Sequence, residues 1–285
     1  MDRCAPRGDR SRVTSTARPR RSLWASRTLI WNFAQRELKT RFKGTALGWG
    51  WSLTVPLATL VTYSLVFSVI FRASPPDFGN GRPGMFPVWL FNGLIPWTFF
   101  LISVNTAIPT LLASGPLLQK VYFPSYTPIV GSSTATLVQT LIELGVLAVI
   151  LAALGVVGPS WLLVPAWFAL FVVFVISVAV TLAVVNVYVR DTAHLVTVAL
   201  QLLFFLTPII YETSMIPADW NGIPLRALIA LNPLAGFVES LRDLTYGLQV
   251  PSLGTVLGLV AWTLASIGTA IVVYRRWGLD IAEAM

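Results

Sequence analysis

Apolar residues in this chain are massed into six stretches, at 49–71, 86–113, 128–157, 161–188, 194–211 and 253–274, and charged residues fall almost entirely between or before them. A helix needs roughly 20 apolar residues to cross a hydrocarbon core about 30 Å thick, and each stretch approaches or exceeds that length. A water-soluble domain would interrupt such stretches with polar faces, because its helices meet solvent on one side. The pattern therefore predicts an all-α, polytopic membrane protein with six transmembrane helices. Pro56 and Pro109 lie inside spans and imply kinks. Trp49, Trp51, Trp89, Trp97, Trp161, Trp262 and Trp277 fall at or near span ends, the depth that amphipathic rings favour.

Two segments follow a different pattern. Over 27–43, Ile30, Ala34, Leu38 and Phe42 recur every four residues beside Trp31, whereas Asn32, Arg36, Lys39 and Lys43 take another face. That predicts an amphipathic interface helix drawn to anionic headgroups. The segment 212–247 is too polar and too Pro-broken to cross a bilayer, yet apolar enough to bury. Within it, 227–231 and 234–244 read as two short helices split by Asn232-Pro233. Non-helical backbone at membrane depth survives only when shielded by protein or lining water, so a re-entrant pair of gate helices at the outer mouth is predicted. Residues 1–22, rich in Arg, Ser, Thr and Pro, predict a disordered basic tail. The chain thus divides into the tail 1–22, the interface helix 27–43 and a six-span domain 44–285. The halves 49–157 and 161–274 do not align in their Gly and Pro positions, which weakens an inverted-repeat carrier.

Composition agrees: mean hydropathy is +0.74 and charged residues are 11%. The net charge of +8 is placed unevenly, since twelve of the twenty Lys and Arg precede residue 44. With a cytoplasmic N-terminus and six spans, sixteen of these cations lie inside and four outside. This positive-inside bias predicts a plasma (inner) membrane protein with both termini cytoplasmic. The basic excess is therefore an orientation signal, and no nucleic-acid partner is expected, because the basic segment lacks a folded reading surface. One cysteine, Cys4, and one histidine, His194, exclude a disulfide framework and leave no expected metal site. A membrane-embedded transferase needs a catalytic acid or His with a metal or base partner, and His194 at a span start is the sole His. Few ionisable groups lie inside spans, which disfavours an ion-coupled carrier.

Glu143 is the exception, an acid well inside a span. Such a group costs on the order of 2.5–3.5 kcal/mol on insertion scales, so it must take up a proton, bond Gln139 or Thr140, or meet another span. Its role is either a structural hydrogen bond or part of a path. On the outer short helix, Glu239, Arg242 and Asp243 are spaced i, i+3, i+4 and are expected to pair, holding the gate in shape. The loop 114–128 joins apolar Leu117, Leu118, Val121, Tyr122 and Phe123 to Lys120 and ends at Pro124. It fits a one- or two-turn helix projecting at the membrane surface, or a turn pressed against the lipid interface.

Six motifs in order carry a resemblance: Arg36-Glu37-Leu38-Lys39-Thr40-Arg41-Phe42-Lys43 leading to Leu47-Gly48-Trp49; Asn92-Gly93-Leu94-Ile95-Pro96-Trp97-Thr98-Phe99-Phe100; Leu118-Gln119-Lys120-Val121-Tyr122-Phe123-Pro124; Asn186-Val187-Tyr188-Val189-Arg190-Asp191; Thr207-Pro208-Ile209-Ile210-Tyr211; and Leu231-Asn232-Pro233-Leu234. Together they resemble ABC transporter permeases of the type 2 exporter class, in particular exporters of polysaccharide and polyol-phosphate polymers such as O-antigen or teichoic acid. The resemblance runs from about residue 30 to 274. It implies a homodimer joined to two copies of a cytoplasmic ABC ATPase. The chain is then not an enzyme and binds no cofactor of its own, ATP and Mg residing on the partner. No G-x-x-x-x-G-K-[ST] phosphate loop occurs in the sequence.

The resemblance also implies roles. Leu117, Leu118, Lys120, Val121, Tyr122 and Phe123 would form the helix that couples to the ATPase. The cargo would be a polymer on a polyprenyl diphosphate lipid, its anionic head gathered by Arg36, Lys39, Arg41 and Lys43, whose cationic groups suit phosphate oxygens. Sugar chains offer hydroxyls and weakly apolar ring faces, so a channel for them wants aromatic platforms, for which Phe91, Trp97, Phe99, Phe100, Phe204, Phe205 and Tyr211 are the candidates. The alternatives are a type 2 exporter of a smaller cargo, drug or lipid, and then the membrane-embedded transferase.

Overall fold

The computed structural model describes residues 23–42, 48–72, 74–120, 123–222, 224–278 and 281. The expected tail 1–22, and Lys43, Val121 and Tyr122, lie outside the described residues, as does the side chain of Arg41. The described part is helical, with no β-strand. In chain order the helices are α1 (Leu23–Phe42), α2 (Trp51–Ser64) running into a π segment (Leu65–Ile70), α3 (Phe86–Ala113), α4 (Gly115–Lys120), α5 (Tyr126–Ala153), α6 (Val164–Tyr188), α7 (Thr192–Phe205), α8 (Leu225–Ala230), α9 (Pro233–Thr245) and α10 (Leu253–Val273), which ends in a π segment (Tyr274–Gly278).

Four helical segments among the described residues are long and apolar enough to span a bilayer: Phe86–Ala113, Tyr126–Ala153, Pro159–Tyr188 and Leu253–Gly278. The first predicted span is helical from Trp51 to Ile70, with apolar helix described over Pro56–Ile70, and the fifth is shorter, with apolar helix over Thr192–Phe205. The fifth stops early for a local reason. Pro208 offers no N–H and disfavours helical backbone in the residue before it, so α7 ends at Phe205 and the chain bends through 207–210.

α3 is the axis of the bundle: 78% of its span is buried within the subunit, against 11% for α10. Phe99 packs on Phe168 and Phe171 of α6 at ring separations of 6.1 and 5.8 Å. Phe237 of α9 closes the same cluster, 4.7 Å from Phe171 and 5.3 Å from Phe174. α1 lies across the start of α5, where a Cβ on Gly131 would sit 2.5 Å from Cβ of Phe33, so the lack of a side chain there sets how closely the two helices approach.

The two ends of the bundle differ in how they use cations. At the end carrying α1, α4 and the last turn of α10, Phe33 meets Phe123 at 5.9 Å, Ser125 donates to the carbonyl of Gly278 at 2.9 Å, and Tyr188 donates to that of Trp277 at 2.8 Å. Arg27, Arg36, Lys39, Lys120, Arg190, Arg275 and Arg276 are all exposed there. At the opposite end, Arg82, Arg226 and Arg242 each donate to backbone carbonyls, of Leu154, of Ser214 and Ile216, and of Pro208 and Ile209; of the four arginines there, only Arg72 is exposed without such a bond to the described residues.

Candidate functional site

A groove of about 700 Å³ runs between α2, α3 and α7. α3 contributes Leu94, Trp97, Thr98, Leu101, Ile102 and Asn105; α7 contributes Thr197, Leu200, Gln201, Phe204 and Phe205; α2 contributes Thr59 and Tyr63. The spacing explains the wall: Trp97, Leu101 and Asn105 recur every four residues, as do Thr197 and Gln201, so each set shares one helical face. Among the described residues, no charged side chain lines the groove. Its aromatic surface is built around Phe204, whose ring lies 5.4 Å from Trp97, 6.4 Å from Tyr63 and 5.3 Å from Phe205. Thr197 and Thr98 return their hydroxyls to the carbonyls of Ala193 and Leu94, both at 2.9 Å. The exposed amides of Asn105 and Gln201 make no hydrogen bond to the described residues and remain open to the groove.

Of the seven aromatic residues anticipated from sequence, Trp97, Phe204 and Phe205 line this groove. Phe91 and Phe99 are buried inside the subunit, 2% and 0% exposed. Phe100 faces a second cavity, and Tyr211 donates to the carbonyl of Phe205 at 2.9 Å, bracing the end of α7. Tyr63, Asn105 and Gln201 were missed by sequence reasoning. The signal was present as single polar residues in apolar helices, spaced four from another groove residue.

Glu143 sits directly behind the groove wall. It is 2% exposed, accepts from the amide of Gln139 at 3.1 Å, and lies 3.5 Å from the hydroxyl of Thr98, itself a groove residue. One expected local partner, Gln139, is therefore present. Thr140 instead donates to the carbonyl of Thr136, and the second contact comes from another helix, α3.

The end of α7 is held by α9. Asn232 caps α9, accepting from the backbone N–H of Leu234 at 3.0 Å. Its amide also donates to Thr207 at 2.9 Å and to the carbonyl of Leu206 at 3.3 Å. Arg242 donates to the carbonyls of Pro208 and Ile209 at 2.5 and 2.6 Å, and its guanidinium lies 3.6 Å from the ring centroid of Trp89. The carbonyls of Leu206, Pro208 and Ile209, around the break at Pro208, thereby find donors inside the protein, as irregular backbone shielded from water must. A Cβ on Gly93 would lie 2.5 Å from the Arg242 guanidinium, so that glycine leaves room for the arginine.

This arrangement replaces the pairing expected of Glu239, Arg242 and Asp243. Arg242 donates to carbonyls and Glu239 accepts from the hydroxyl of Thr213, while all three side chains line one polar pocket of about 420 Å³, where the Glu239 charge favours the cationic form of Arg242. The reason is burial: Phe237, Leu241 and Leu244 turn α9 into the core and carry Arg242 with them, leaving it 8% exposed. Burial lowers Arg242 to about 9, which keeps it cationic at neutral pH. Burial, and then the neighbouring Glu239 charge, push Asp243 upward.

Arg36 and Lys39 are exposed on α1. In α4, Leu117 and Lys120 are exposed while Leu118 is buried; beyond it, Phe123 is buried against Phe33.

The profile of a family described as ABC-2 type transporter matches residues 28–246. The chain is 29% identical to an O-antigen export system permease protein, RfbA, of Myxococcus xanthus, covering 93% of this chain and 98% of that protein. It is 28% identical to an RfbA of Klebsiella pneumoniae, covering 83% and 87%. Identity to the polysialic acid transport protein KpsM of Escherichia coli is 25%, covering 84% and 90%.

Proposed function

Because the chain belongs to the ABC-2 type transporter family, we propose that it is the membrane-embedded permease of an ATP-driven exporter that moves a polysaccharide or polyol-phosphate chain across the plasma membrane. The observation that carries this reading is the uncharged groove between α2, α3 and α7, with its aromatic rings and open amides. Ring faces of sugars rest on aromatic surface, and the amides of Asn105 and Gln201 both donate to and accept from hydroxyls. The absence of charge from its lining lets successive units pass without being locked in place.

In this reading the two shorter apolar helices complete a set of six membrane segments. The second copy of a homodimer supplies the facing wall of the groove, and α8 and α9 form the outer gate. The exposed cations of α1, α4 and the last turn of α10 face the cytoplasm, as the positive-inside rule requires. At the other end, Arg82, Arg226 and Arg242 are engaged by backbone carbonyls and serve the fold, which leaves Arg72 as the one cation there, among the described residues, without such a bond. The residues 117–123 meet the nucleotide-hydrolysing partner, and Arg36, Lys39, Arg41 and Lys43 gather the diphosphate head of a polyprenyl-linked cargo.

Removal of this chain from its host tests the proposal. Expected are loss of surface polysaccharide and build-up of lipid-linked chains inside the cell, both reversed by the wild-type chain. Unchanged surface polysaccharide would overturn it and favour the smaller-cargo exporter.

A further inference from the structure

On the far side of the wall formed by α3 and α7 lies a second cavity, of about 560 Å³, within the range of about 300–1,000 Å³ typical of ligand sites. We propose that it is a binding site for one hydrocarbon chain of a membrane lipid. Phe100, Phe174, Leu203, Leu234 and Trp262 supply apolar wall. Four polar residues also line it, and each has its donors engaged within the protein. Thr181 donates to the carbonyl of Ser177 at 2.8 Å, Ser266 to that of Thr263 at 2.8 Å, and Thr269 to that of Ala265 at 2.9 Å. Asn232 directs its amide to Leu206 and Thr207. Among the described residues the one lining donor without a hydrogen bond is the indole N–H of Trp262 at the exposed rim, so the interior of the cavity offers a glycan no free side-chain donor, and a largely apolar cavity is a poor site for water.

The surroundings identify the occupant. One wall is α10, whose span is only 11% buried, and the rim residues Leu228, Leu231 and Trp262 are 51%, 63% and 43% exposed. The cavity is thus continuous with the lipid-facing surface of α10, and the medium that reaches its mouth is hydrocarbon. A bound chain would also support the groove. Phe100 in this cavity lies 6.4 Å from Trp97 in the groove, and Leu203 precedes Phe204. The inference requires membrane embedding, not any particular cargo.

The test is photolabelling of the full-length protein in phosphatidylcholine–phosphatidylglycerol nanodiscs with a phospholipid carrying a diazirine in its acyl chain, mapped by mass spectrometry. Labelling at Leu231, Trp262 and Ser266 should saturate as the probe fraction rises. Labelling at exposed Leu257, Leu264 and Val272 should rise in proportion to the probe. Ala265→Phe, which fills the cavity, should cut the saturable signal about fivefold and leave the proportional signal unchanged. Proportional labelling at both sets in the wild-type protein would overturn the proposal, and so would protomer–protomer adducts at the cavity residues, which would make this face an interface between copies. Export assayed in the same variant reports separately on the cargo reading.

Discussion

The groove and the lipid-side cavity share a wall, have volumes of about 700 and 560 Å³, and both carry several hydroxyl or amide residues. They nevertheless present opposite chemistry. In the cavity every hydroxyl and amide donor is engaged within the protein. In the groove the amides of Asn105 and Gln201 make no bond to the described residues. Counting polar residues would rate the two surfaces as alike. What separates them is whether each donor is satisfied within the protein, as Ser and Thr are through a carbonyl three or four residues back and Asn232 is through the end of α7, or is left without a bond to the described residues.

The largest effect is expected where the shared wall is anchored. Arg242→Met leaves the carbonyls of Pro208 and Ile209 without their donor, at about 1–3 kcal/mol for each orphaned group. Thermal unfolding in detergent should show a marked loss of stability. Both surfaces should fail together, with export lost and saturable lipid labelling abolished. Gly93→Ala, which presses a Cβ against the same guanidinium, should be milder. Combined with Arg242→Met it should add less than its single effect, because the crowded partner is gone. Full additivity would show that Gly93 serves something other than room for Arg242.

A smaller, separable effect is expected from the groove itself. Gln201→Leu and Asn105→Leu each remove an exposed amide that makes no contact with the described fold, so stability should stay within about 0.5 kcal/mol. Each hydrogen bond lost to cargo is worth about 0.5–1.5 kcal/mol, so surface polysaccharide appearing per unit time should fall roughly 2- to 13-fold, with lipid labelling unchanged. A fall in stability matching the fall in export would remove the distinction between the two surfaces.

Much of the fold was legible in the sequence, and the failures have physical causes. The four long spans follow from apolar length alone. The fifth was drawn through 207–211 because Ile209 and Ile210 are apolar, yet Ile209 is fully buried in bent backbone, and hydropathy cannot distinguish helix from buried extended chain. Pro208 was the available sign. The trio on α9 was read by spacing, which is right for a solvated helix; here Phe237 and Leu241 bury that face and send Arg242 to carbonyls. The aromatic candidates show the same limit. Trp97, Phe99 and Phe100 are near neighbours in sequence, but 100° per residue sends them to the groove, the core and the lipid-side cavity respectively. Motifs distant in sequence meet instead: Asn232 with Thr207, and Gly93 with Arg242.

The smallest effect is expected at Glu143, which touches the groove only through Thr98. In Glu143→Gln the side-chain carbonyl still accepts from Gln139, and the new amide can donate to Thr98 where the carboxylate oxygen accepted. The number of hydrogen bonds is kept, so export should stay within about twofold of wild type and unfolding should shift little. Glu143→Leu keeps neither bond, each worth about 0.5–1.5 kcal/mol, so it should lower stability while Glu143→Gln does not. Loss of export in Glu143→Gln at full stability would mean that its acid function, not its hydrogen bonds, is felt across the wall. The contrast between the two surfaces would then have to include a charge that neither displays.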